Sequence, residues 1–382
     1  YFRDQSRGQF NVEFDVVGPI KLSSKQKIDG DYDNFGRSQF KEAAKLADDQ
    51  LDYSDYDWDG DGRVEAVIII FAGYGANEDD ESAERCIWPN TDSFSSLTLD
   101  GIIISKYSAS QEIWTNDASC GIGTVCHEFS HVLGLPDLYP TAGDEFSVVD
   151  EWDLMDGGNY AGDGWCPPNY SIFERDYLGW QSPEDLKESC DITDMPSYDS
   201  SGKAYKITNE SNPSEYYLIE NRQWQGWDYM LPNHGMLITY VNYSQTYWTS
   251  NFVNIDPLFH RYDYIHADGL DYNYFDELYD GISPYGEDGR NLRLKNTVFP
   301  YTDAEGVTST IPALFGNTIS DLSEHEGLLS FKFTDAASGI SSRSTDSVPV
   351  ACYDLQGRKT GERGKGIYIV RYSNGTTKKI MR

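Results

Sequence analysis

No apolar run in this 382-residue chain is long enough to cross a membrane as a helix. None of its six cysteines, Cys86, Cys120, Cys126, Cys166, Cys190 and Cys352, belongs to a C-x-x-C pair, which argues against a cysteine-built zinc cluster. Their spacings leave disulfides open without identifying pairs, and Cys126 equally suits a small buried hydrophobe. Positive charge is scarce: 30 Lys and Arg stand against 63 Asp and Glu, a formal net charge of -33. Nucleic acid and acidic membrane surfaces are therefore disfavoured as partners, while cations are favoured. The first residues lack a basic segment followed by an apolar one. The expectation is an exported chain, secreted or held at the cell surface, that starts after a removed signal peptide and propeptide.

What is present is more specific. The stretch His127-Glu128-Phe129-Ser130-His131-Val132-Leu133-Gly134-Leu135-Pro136-Asp137 lies where Ile122, Val125, Phe129, Val132 and Leu133 recur at helical spacing. His127 and His131, four apart, then leave one helix face, and two neutral imidazoles there suit one zinc ion. Glu128 projects beside them as a general base for an attacking water. Gly134 tolerates the left-handed turn that ends a helix, and that turn swings Asp137 back as a third ligand. A bare H-E-x-x-H also fits a surface helix. The glycine, Asp137 and the later Trp152-Asp153-Leu154-Met155-Asp156-Gly157-Gly158 argue for the metal. Asp144, Glu145, Asp150, Glu151 and Asp153 are rival third ligands without the spacing that supports Asp137.

The extended pattern His-Glu-x-x-His-x-x-Gly-x-x-Asp with its Met-containing turn resembles the metzincin group of zinc peptidases. More narrowly, Gly134-Leu135-Pro136-Asp137 and the 152–158 turn resemble the immune inhibitor A family of secreted metallopeptidases. The resemblance implies an α/β zincin, metzincin-like catalytic domain and zinc-dependent hydrolysis of internal peptide bonds. It places Met155 as an apolar base beneath the metal and Tyr160 facing the metal or the developing oxyanion, although Tyr170 is also near and a plain surface tyrosine is the simpler reading. It also implies that the strand expected over residues 100–108 forms the upper rim of a cleft, an ordinary interior strand being the alternative.

A second cluster, Asp57, Asp59 and Asp61 ahead of Gly62, alternates as ligands that wrap a hard cation do. The Arg63 carbonyl and the Glu65 carboxylate are expected to complete the shell, and the resemblance favours calcium. The twelfth position from Asp57 is Ile68, so this is no complete EF-hand, and a solvated acidic turn is the alternative.

Strands are expected over residues 10–17, 66–72 and 100–108, and helices over 40–51 and 169–180. After residue 181 the pattern turns to strands, 204–207, 215–221, 235–241 and 328–333, separated by Asn, Gly and Pro clusters. The division expected is a catalytic domain over 1–181, an all-β sandwich-like domain over 182–335, and a linker with a short β tail over 336–382. In the tail, 353–358 and 366–370 resemble the C-terminal sorting domains of the type IX secretion pathway. The 28 tyrosines and 9 tryptophans suit packed β structure or a glycoprotein contact surface. Protein or peptide substrates and a monomer are expected. Two other functions compete: a zinc hydrolase of another amide or ester, and a calcium-stabilised adhesin or glycan-binding protein with a vestigial zinc site.

Overall fold

The computed structural model describes residues 1–23, 35–77, 86–114, 117–141, 147–256, 259–270, 287–336, 349–353, 367–372 and 377–381. After a short helix α1 (Phe2–Gln5), the strand expected over 10–17 does not form. Phe10 instead stacks on Phe129 and Trp180, at ring-centroid distances of 6.4 and 5.7 Å, so aromatic packing holds this stretch where a ladder was expected. Helix α2 (Arg37–Ala47) starts earlier than its apolar pattern suggested. Its buried Phe40, Ala44 and Ala47 follow helical spacing, and Phe40 and Ala44 pack with Tyr53, Phe71 and Tyr107.

Strand β1 (Val67–Phe71) lies parallel to β3 (Ile102–Gln111), and β2 (Asn90–Leu99) lies antiparallel to it. The order β1-β3-β2 puts β3 in the middle. The strand that includes 102–108 is therefore interior and offers no free edge to a peptide. Strand β1 is less buried than its Val/Ile run suggested, with Ile70 55 % exposed; among the described residues it has a neighbouring strand on one side only.

Helix α3 (Gly123–Leu133) carries the H-E-x-x-H residues. Gly123 has no room for a side chain: a Cβ there would meet the Asn159 carbonyl at 1.9 Å, and its N–H donates to the Gly164 carbonyl at 2.8 Å. Helix α4 (Ile172–Tyr177), shorter than expected, starts at a capping box in which Ser171 and Glu174 satisfy each other's backbone N–H groups.

Beyond it, β4 (Glu184–Asp185), β5 (Cys190–Met195), helix α5 (Tyr198–Ser201), β6 (Ala204–Thr208), β7 (Glu215–Arg222), β8 (Gly235–Asn242), helix α6 (Gln245–Thr249), β9 (Tyr262–Tyr264), helix α7 (Glu287–Lys295), β10 (Thr318–His325) and β11 (Leu328–Thr334) follow. They form a five-stranded sheet, β4-β6-β7-β8-β9, and a three-stranded one, β10-β11-β5. Alternation along β6 to β8 gives the larger sheet two apolar faces. Tyr205, Ile207, Ile219, Met236 and Ile238 pack on Met195, Leu329, Phe331 and Phe333 of the smaller sheet. Ala204, Leu218, Leu237 and Val241 join Phe129, Leu138, Met155 and Phe173 in one core. The larger sheet is thus a middle layer, with the H-E-x-x-H half on one face and the smaller sheet on the other.

Arg222 of β7 strengthens that junction. Fully buried, it grips the Asp228 carboxylate through Nε and Nη2 at 2.8 and 2.7 Å, while Nη2 donates to the Asn169 carbonyl at 3.3 Å. In the tail, β12 (Pro349–Tyr353), β13 (Ile367–Tyr372) and β14 (Thr377–Met381) make a separate antiparallel sheet. Most of the expected linker and of the 353–358 segment lies outside the described residues. Among the described residues no helix is long and apolar enough to cross a membrane.

Candidate metal centre

Four residues advance an α-helix by about one turn, so His127 and His131 stand on one face of α3, ring centroids 4.8 Å apart and nearly perpendicular. Each ring is oriented from behind. Nδ1 of His127 lies 2.8 Å from the Leu154 carbonyl, and Nδ1 of His131 2.8 Å from the Leu135 carbonyl. A carbonyl only accepts, so Nδ1 carries the proton and, in the neutral ring, Nε2 keeps its lone pair.

Gly134 ends the helix in the left-handed region, at φ 101° and ψ 9°. The chain turns back there and brings Asp137 Oδ1 to 3.1 Å from His127 Nε2 and 3.2 Å from His131 Nε2. Asp137 is buried, and its Oδ1 accepts no well-formed hydrogen bond, although the two Nε2 atoms lie 3.1 and 3.2 Å away. A buried carboxylate oxygen in that state is costly unless something positive meets it. Burial would raise the Asp137 pKa, yet the two histidines hold it far below the usual carboxylate range. Burial would likewise lower the histidines, but Asp137 raises His131 to about 9 and raises His127 as well. Two imidazole nitrogens and one carboxylate oxygen within 4.8 Å of one another are a donor set that would suit a zinc ion.

The turn containing Met155 braces this centre. Leu154 receives the His127 proton, and the Met155 carbonyl accepts the Leu138 N–H at 2.8 Å. Met155 itself is 1 % exposed and packs in the same core as Phe129 and Leu138. Cys126 is buried there too, and burial pushes its thiol up to about 12, in keeping with a small core hydrophobe. Glu128 is 6 % exposed, and burial raises its pKa. The Thr91 hydroxyl, on β2, lies 3.0 Å from Glu128 Oε2 and 2.6 Å from the Glu128 carbonyl.

Tyr160 is half exposed, and its hydroxyl accepts from Asn77 Nδ2 at 3.2 Å. Tyr170 is fully buried, and its hydroxyl is bonded to Ser130. Of the rival carboxylates, Asp150 is paired with Arg290 and Arg293, Glu151 with Arg290, and Asp153 accepts the Met155 N–H. Asp144 and Glu145 fall outside the described residues.

Three contacts here have no local signature in the sequence. Thr91 is one. Tyr139 lays its ring nearly parallel to His127, at a centroid distance of 6.5 Å. Asn251, 114 positions from Asp137, accepts the Asp137 N–H at 2.6 Å and donates to Asp137 Oδ2 at 2.6 Å.

The aspartate loop is also assembled. Carboxylate oxygens of Asp57, Asp59 and Asp61 lie within 4.8 Å of one another. Asp57 caps the turn by accepting from the N–H groups of Gly60, Asp61 and Gly62 at 2.9, 3.1 and 3.0 Å. Glu65 turns one oxygen to the Trp58 N–H at 3.0 Å, and its other oxygen is buried without a partner. Arg63 forms a β-bridge with Ile103, which docks the loop on β3.

Residues 1–182 match the family model of the immune inhibitor A peptidase M6 catalytic domain. Immune inhibitor A of Bacillus thuringiensis subsp. alesti is 26% identical over 215 residues, a match that covers 47% of this chain and 31% of that protein. The chain thus spans about a third of the length of this curated relative. No solved structure matches.

Proposed function

We propose that the chain, whose residues 1–182 match the peptidase M6 catalytic-domain model, is a zinc-dependent endopeptidase that cleaves internal peptide bonds of proteins. The observation that carries this is the convergence of His127 Nε2, His131 Nε2 and the buried Asp137 Oδ1, each held from behind by backbone or amide contacts. These three residues would hold the zinc ion. When bound, zinc supplies Lewis acidity toward water and toward the scissile carbonyl.

The remaining chemistry belongs to Glu128. Thr91 engages its Oε2, which leaves Oε1 to accept a proton from the attacking water and to return it to the leaving amine. Burial strengthens it as a base. Tyr160, its hydroxyl steadied by Asn77, is assigned to the developing oxyanion. In this reading residues 1–181 form the metzincin-like α/β zincin domain. Residues 182–335 act as the β-sandwich-like domain beneath it, and the separate tail sheet serves export or surface anchoring. Casein hydrolysis is expected to stop on removal of zinc by a chelator and to return when zinc is restored. Hydrolysis that persists without metal would refute the assignment.

Calcium is proposed for Asp57, Asp59 and Asp61, with the Arg63 carbonyl and Glu65 joining them, in a structural role. The support is the clustered carboxylates together with the buried unpartnered oxygen of Glu65. A cation held at a hundred times its dissociation constant stabilises a fold by about 2.7 kcal/mol. Stripping all metal and restoring zinc alone should therefore lower the melting temperature, with recovery on adding calcium. A melting temperature already complete with zinc alone removes calcium from the proposal.

A further inference from the structure

Asn251 follows α6 in the left-handed region, at φ 57°, a conformation Asn tolerates better than most residues with a side chain. Its position is set by packing elsewhere. Its N–H donates to the Trp248 carbonyl at 3.3 Å, and the buried Trp248 ring lies 5.4 Å from Phe173 and 5.0 Å from Tyr243. Its own carbonyl accepts from Thr141 Oγ1 at 2.6 Å. The side-chain amide then meets Asp137 twice: Oδ1 accepts the Asp137 N–H and Nδ2 donates to Asp137 Oδ2, both at 2.6 Å.

One amide therefore fixes both the backbone and the carboxylate of the same residue. A carboxylate has two equivalent oxygens, and the amide occupies one of them. Only Oδ1 is left to face the two Nε2 atoms. We propose that Asn251 is the positioning residue that makes Asp137 a one-oxygen ligand, so that the metal centre is completed from a part of the chain outside the matched domain of residues 1–182. The inference rests on the zinc reading given above. It also gives the layer formed by residues after 182 a direct part in metal binding, because α6 sits on the same core as Phe173 and Met155.

The test uses the full chain and zinc itself, with the dissociation constant measured by competition against a chromophoric chelator. Asn251→Gly keeps the left-handed backbone and removes the amide. Asn251→Asp keeps the shape and removes the donor at Nδ2. Both variants should bind zinc about 10- to 100-fold more weakly, the loss typical of an outer-shell partner. Both should keep the metal-free melting temperature well above the assay temperature. With cobalt(II) in place of zinc, the visible d–d bands should shift in both variants, a change that a purely structural role would not produce. Wild-type affinity and wild-type cobalt spectra in both variants overturn the role of Asn251, provided that His131→Ala has lost the metal. If His131→Ala binds zinc as the wild type does, the zinc reading itself fails, and the inference with it.

Discussion

Replacing Glu128 by Gln is expected to lower kcat/KM on casein by about 10²- to 10⁴-fold, the contribution of one well-placed general base, while zinc content stays at the wild-type level. That range corresponds to about 2.7 to 5.5 kcal/mol of transition-state stabilisation. The substitution preserves shape and the acceptor oxygen that faces Thr91, so the strand-to-helix contact between β2 and α3 persists. What it removes is the capacity to take a proton. Because Glu128 is 6 % exposed, bulk water reaches this position poorly, and a replacement base from solvent has little access. Zinc content separates this outcome from a damaged centre: the ligand atoms belong to His127, His131 and Asp137, and none of their orienting contacts passes through the Glu128 side chain. Hydrolysis within a few-fold of wild type would remove the proton-transfer role from Glu128.

Much of this centre is local, and so could be read from the sequence. His127, Glu128, His131 and Gly134 lie within two turns of one helix and its cap, where period and left-handed tolerance determine geometry. The strand-like runs over 204–207, 215–221 and 235–241, bounded by Asn, Gly and Pro clusters, are local signals too, and strands form there. The rest depends on contacts between distant positions. Asn251 reaches Asp137 across 114 positions, and Thr91 reaches Glu128 across 37. Neither residue type stands out in its own segment. The Val/Ile run of β1 reads the same in a central strand and at an edge, and only the order β1-β3-β2 distinguishes them. Residues 10–17 alternate as a strand would, but the Phe10 ring finds Phe129 and Trp180 before any neighbouring strand offers a ladder. The aspartates of the 57–61 loop cluster as their spacing implies. That Glu65 turns to the Trp58 N–H is a detail of the fold alone.

Asp137→Ala is expected to weaken zinc binding by more than about 100-fold, beyond the loss an outer-shell partner causes. The two imidazoles would remain oriented by the Leu154 and Leu135 carbonyls, and the backbone N–H of residue 137 would still have the Asn251 acceptor. The loop should therefore keep its path while losing one donor atom. A second signature follows from the proton balance. In the metal-free protein, Asp137 raises His131 to about 9 and raises His127 too, so zinc binding near pH 7 must displace the proton that the carboxylate holds on His131. Without Asp137, the strongest raising influence on both imidazoles is gone and burial lowers them, so fewer protons stand in the way of the metal near pH 7. The affinity of the wild type should then climb steeply with pH toward 9, and that of the variant should climb much less. Titrating zinc into the metal-free proteins at several pH values measures both effects. A variant that binds zinc as tightly as the wild type, with the same pH slope, would move the third ligand to another carboxylate.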